Sequence, residues 1–139
     1  MTVAECLKEW LNTYSGADFG DIDTDIIENM NGSRAIFKAP NKTVRKYNDG
    51  SSLNTEYYQF FAKQSVLLEE ERVDNQQFMS DLEDWIEEKD FNEDYPDLSK
   101  VGRLTCTEIS ISNSSTITYE NEDKAVYHIT IAIEYLKER

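Results

Sequence analysis

Between Tyr127 and Tyr135 the chain alternates without a break. Tyr127, Ile129, Ile131, Ile133 and Tyr135 are bulky and apolar, and His128, Thr130, Ala132 and Glu134 fall between them. A helix does not fit that spacing, because its apolar positions recur every three or four residues. A strand with one face in a core does fit it. The expectation is a long final strand inside a sheet, and such a strand needs a second layer to cover its apolar face.

The cover is legible as two amphipathic helices. Thr2-x-x-Glu5 is a capping-box pattern, followed by Val3, Cys6, Leu7, Trp10, Leu11 and Tyr14 on one stripe, with Gly16 as the stop. Asp74-x-x-Gln77 marks a second start, after a loop over 66–73. Phe78, Leu82, Trp85 and Ile86 form its apolar stripe, and the chain leaves the helix between Phe91 and Pro96. Between the helices, Thr24 to Met30 and Ser33 to Ala39 flank Asn31-Gly32, the strongest short hairpin signal. Thr43 to Tyr47 reads as a further short strand. Glu56 to Gln64 reads as a long strand with aromatics on both faces. Strands over 103–112 and 116–120 precede the last one. The order α-β-β-(β)-β-α-β-β-β predicts an α+β fold: a mainly antiparallel β-sheet with two amphipathic helices packed on one face. At 139 residues, one domain over 1–139 is expected.

Charge sorts along the chain. The net charge is −14, yet residues 69–97 hold 13 acids and 2 bases, while 29–48 hold Arg34, Lys38, Lys42, Arg45 and Lys46 and no acid. Overall acidity argues against tight nucleic-acid binding, which needs a basic footprint. No run of residues is long and apolar enough for a signal peptide or a bilayer span, so no membrane partner is expected.

Catalytic patterns do not emerge. The single histidine, His128, lies on the minor face of the last strand with no nucleophile patterned around it. Cys6 and Cys106 are far apart and show no metal-ligand spacing. Asp21-x-Asp23-x-Asp25 begins like a calcium loop but fails at Ile26, where glycine is needed, and at Gly32, where glutamate is needed. No glycine-rich phosphate loop is present. The expectation is no enzyme, no cofactor and no metal.

One resemblance goes further. Tyr58-x-Phe60-x-Ala62-Lys63-Gln64, then Asn75-x-x-Phe78-x-x-x-Leu82-x-x-Trp85-Ile86, then Ala125-x-Tyr127-x-Ile129-x-Ile131-x-Ile133-x-Tyr135 follow one another as strand, helix and final strand. With the Leu7-x-x-Trp10-Leu11 helix, this succession resembles the tail-terminator or minor-capsid (head-tail joining) proteins of phages and prophages of Gram-positive bacteria. The resemblance implies a virion structural protein, assembled in the host cytoplasm, that forms a hexameric ring. Such a ring ends tail-tube growth and meets the tail-tube protein and a head-completion or connector protein. The alternative is an acidic monomeric adaptor that mimics DNA charge.

Three structural expectations follow. Trp10 and Trp85 are both buried in a shared core. Residues 29–48 project as a basic hairpin. Neighbouring subunits meet through charge, with Arg34, Lys38, Lys42, Arg45 and Lys46 facing Asp81, Asp84, Glu87 and Glu88.

Overall fold

The computed structural model describes residues 1–14, 22–24, 34–65, 69–119 and 124–139. Its elements are α1 (Val3–Leu11), β1 (Ile22–Thr24), β2 (Arg34–Lys46), β3 (Ser52–Ser65), α2 (Glu69–Phe91), β4 (Leu104–Tyr119) and β5 (Lys124–Lys137). The strands form one sheet in the order β1-β2-β3-β5-β4, antiparallel except where β1 runs parallel to β2. The fold is α+β, with both helices on one face of the sheet.

The register explains which face is covered. Tyr58 sits opposite Ile131, Phe60 opposite Ile129 and Ile36, and Ile109 opposite Ile133, so these side chains share one side. All are buried, in one cluster with Leu7, Trp10 and Leu11 of α1 and Met79, Leu82 and Ile86 of α2. Full burial of each such aliphatic side chain contributes about 1.5–3 kcal/mol. The strict alternation of β5 arises because its odd residues enter this core.

α1 is capped as its sequence implies. The Thr2 side chain accepts from the Glu5 backbone N–H at 3.2 Å. The helix ends at Leu11, before Gly16, but Tyr14 still packs 5.1 Å from the Trp85 ring. Trp10 and Trp85 pack against each other, with centroids 4.7 Å apart and ring planes tilted by 44°. Trp10 is buried, whereas Trp85 is only partly buried. Lys89 lies over its ring, 5.5 Å from the centroid.

Four expectations are corrected. First, 34–46 is a strand of the sheet and not a projecting hairpin. Ala35 and Ile36 are buried because they pair with Phe61 and Phe60 at the centre of β3. The Asn31-Gly32 turn lies outside the described residues. Second, Ile22–Thr24 forms a short strand parallel to Arg34–Ile36 where a loop was expected, while residues 25–30 of the expected Thr24–Met30 arm lie outside the described residues. Third, Pro40 does not end β2. The pairing shifts between Lys38 and Lys42, and β1 pairs only with Arg34–Ile36, so a bulge at Pro40 tolerates the missing N–H. Similar shifts between Cys106 and Thr116 let β4 run as one strand where two were expected. Fourth, α2 begins at Glu69, not Asp74. Glu69, Glu70 and Glu71 are good helix formers, and acids suit the positive end of the helix dipole.

Candidate interaction surfaces

Glu56 is the polar centre of the covered face. It stands on the same side of β3 as Tyr58 and Phe60 and is 3% exposed. A buried carboxylate is costly unless it is paired and hydrogen-bonded. Lys38 Nζ lies 2.8 Å from its Oε1 and Lys42 Nζ 3.9 Å. The Tyr58 hydroxyl donates to Oε2 at 3.5 Å, and Tyr135 hydrogen-bonds to the same side chain. Burial, then the neighbouring Glu56 charge, pushes Tyr135 up to about 12 and raises Tyr58 as well. Both tyrosines therefore remain neutral donors, and the cluster is a satisfied structural network.

The five expected interface cations separate on folding. Arg34 is buried, with its guanidinium 5.1 Å from the centre of the Phe78 ring. Lys38 is bound to Glu56. These two are therefore removed from the proposed basic surface, because each already has a partner within the subunit. Lys42 is held only loosely by Glu56. Arg45 and Lys46 are exposed, and Arg45 lies 5.8 Å from the centre of the Tyr47 ring. The basic surface is thus the outer half of β2, from Lys42 to Lys46. Val44 and Tyr47 are 45% and 41% exposed there, so the surface also carries apolar area.

The acidic set remains together. Asp81, Asp84, Glu87 and Glu88 are all exposed on α2. Helical spacing aligns Asp81, Asp84 and Glu88 on one stripe, with Glu87 beside it. Asp81 accepts from Gln77 Nε2 at 2.8 Å, and among the described residues none of the four forms an ion pair. Phe91 ends the same stripe and is 86% exposed. The acidic and basic surfaces lie on different elements, and among the described residues no ion pair joins them.

Two residues escaped the sequence reading. Glu56 was hidden inside an aromatic strand, although its parity with Tyr58 and Phe60 signals an acid facing the core. Phe91 follows Asp84 by seven residues and Glu88 by three, which places it on the acidic face and off the buried stripe of Leu82 and Ile86.

Other features offer little chemistry. Burial pushes the Cys106 thiol up to about 12 and raises Cys6, which leaves both thiols protonated and poorly nucleophilic. His128 stands on the uncovered face of the sheet, within 3.1 Å of the Thr116 hydroxyl and beside Phe61. Among the described residues no three His, Cys, Asp or Glu side chains gather to hold a metal ion, and no helix is long and apolar enough to cross a membrane. The chain matches no protein-family model, and no curated protein aligns with it significantly.

Proposed function

We propose that this chain is a structural protein of a phage virion, of the tail-terminator or head-tail joining kind, and that it acts as a ring of identical subunits. The ring ends growth of the tail tube. One side meets the tail-tube protein and the other a head-completion or connector protein. The protein assembles in the host cytoplasm and requires no cofactor. The observation that carries this reading is the separation of two exposed surfaces of opposite sign, Lys42–Lys46 on β2 and Asp81, Asp84, Glu87 and Glu88 on α2, with no ion pair between them among the described residues. A subunit with two different complementary surfaces is suited to head-to-tail association, which closes into a ring when the rotation permits. The succession of strand, polar helix and final strand supports the same reading through its resemblance to tail terminators.

The test is genetic and visual. Inactivating the gene in the phage genome that carries it should leave tails of uncontrolled length and heads without tails, visible by electron microscopy of the particles. Normal-length tails joined to heads would refute the proposal. The alternative, a monomeric DNA-charge mimic, predicts instead that the purified chain competes with duplex DNA for a DNA-binding protein and is absent from virions.

A further inference from the structure

Phe91 is the most exposed large hydrophobic side chain among the described residues. An isolated exposed side chain needs no explanation in general. This one is unusual because its surroundings are pinned. The Asn92 N–H donates to the Glu88 carbonyl at 3.0 Å and the Asp94 N–H to the Lys89 carbonyl at 2.9 Å. Lys89 Nζ binds Asp94 Oδ2 at 2.7 Å, and Trp10 Nε1 donates to the Asp94 carbonyl at 2.9 Å. On the other side, Asp90 Oδ1 accepts from the Ile109 N–H at 3.1 Å and from the Tyr95 hydroxyl at 3.0 Å. The end of α2 is therefore fixed to α1 and to β4, and Phe91 is held out from it.

The outer half of β2 is built to complement this feature. Period-two spacing puts Lys42, Val44 and Lys46 on one side of the strand, opposite Glu56, Asn54 and Ser52. All three are exposed, so Val44 is an apolar spot between two lysines. Arg45 and Tyr47 project from the opposite side of the strand. A chain of net charge −14 repels its own copies unless complementary surfaces meet.

We propose that Phe91 of one copy seats on Val44 of a second copy, between Lys42 and Lys46, with Asp84, Glu87 and Glu88 facing Lys42 and Lys46. The inference rests on reading the chain as self-assembling. It names which surfaces meet and makes an apolar anchor, not charge alone, the source of affinity. Buried aromatic anchors dominate interface energetics, whereas rim charges set orientation and encounter rate. The contact is heterologous, so a pair of copies still has one free surface of each kind, and further copies can add until a ring closes.

The test is a pair of half-dead variants of the full chain, followed by light scattering and sedimentation velocity. Phe91→Ser retains the lysine-flanked surface, and Val44→Ser with Lys46→Glu retains the aromatic anchor. Circular dichroism melts identify variants that fold like the wild type. Each variant alone should associate at least about 30-fold more weakly than the wild type, the loss expected for a hot-spot residue. Mixed one to one, they should form a dimer and nothing larger, because only one intact pair of surfaces remains. Variants that assemble like the wild type overturn the contact, as does a mixture that stays monomeric. A wild type that is monomeric at high concentration and low salt also overturns it. The tail-length phenotype decides the virion reading independently of all three results.

Discussion

The paired tryptophans give the sharpest test of how the helices are held. Trp10 is 6% exposed, packs against Trp85 and donates its indole N–H to the Asp94 carbonyl. Trp10→Ala removes the buried ring, at a cost of about 3–5 kcal/mol. Since domains of this kind are stable by about 5–15 kcal/mol, that one change removes a large fraction of the total. Trp10→Phe keeps most of the ring and loses the hydrogen bond. Asp94 is exposed, so its carbonyl can recover water, and that term is near the low end of about 0.5–1.5 kcal/mol. Trp85 is only partly buried, so Trp85→Ala should cost less than Trp10→Ala. The double substitution should be less destabilising than the sum of the two by about 0.5–1.5 kcal/mol, the coupling expected of an aromatic pair. Urea unfolding followed by far-ultraviolet circular dichroism measures all four proteins without relying on the removed fluorophores. A Trp10→Ala protein within about 1 kcal/mol of wild type, a departure too small for a core aromatic, would refute the assignment. So would a cycle with no coupling.

Three further outcomes are expected. Tyr135 and Cys106 have folded-state values raised to about 12 by burial, and Tyr58 is raised too, so their contribution to stability is intact below the ordinary values. It is lost as pH climbs from about 9–10 towards those folded values, and alkaline melts should fall steadily there, while a melting temperature flat across that range would contradict the burial. Gly50 has φ +90, and an added Cβ would meet only the movable Arg139 side chain, so Gly50→Ala should cost about 1–2 kcal/mol through its backbone in a urea titration. Glu88→Lys should raise stability by about 0.3–1 kcal/mol, because it places a cation at the helix C-terminus and turns a repulsive Asp84–Glu88 pair into an attractive one. The same change should weaken self-association measured by sedimentation, and the opposite signs separate a surface kept for a partner from one that serves folding.

Legibility in the sequence tracked the strength of the physical constraint. β5 was readable because a one-residue slip would turn five apolar side chains out of the core. The α1 stripe was readable for the same reason at helical spacing. β2 was readable only in part, as two short strands over Ser33–Ala39 and Thr43–Tyr47 on a projecting hairpin, because Pro40 looks like a terminator and its cations suggest solvent exposure. Its continuity and the burial of Ala35 and Ile36 come from pairing with Phe60 and Phe61, and that pairing is a tertiary fact. Charge counting had the same weakness. Arg34 and Lys38 carry the same formal charge as Arg45 and Lys46, but Phe78 and Glu56 take up the first two within the fold. The acidic side was more legible, because a long helix exposes its polar positions by geometry alone. Phe91 could have been found from its spacing to Glu88, but its rigid presentation could not, since that depends on Trp10 reaching Asp94 from the other end of the chain.

The C-terminal end of α2 departs from the local rules followed elsewhere. Thr2 caps α1, and the positive φ at the β2–β3 turn falls on Gly50. At the end of α2, by contrast, Glu87 and Glu88 oppose the negative end of the dipole, Phe91 faces solvent, and Glu93 adopts φ 55, where glycine is normally preferred. Each departure is unfavourable by itself, and among the described residues none is offset by an ion pair to the acids concerned. Glu93 shows what the backbone cost achieves. The left-handed residue turns the chain so that Asp94 can meet Trp10 through its carbonyl and Lys89 through its carboxylate. Glycine would adopt that turn more readily, but it would also widen the conformations open to the segment. Departures gathered at one place, in a chain otherwise consistent from pattern to packing, are expected where a surface is held ready for contact and not for folding. In the proposed contact, the same stiffness that keeps Phe91 out of its own core lowers the ordering cost of docking.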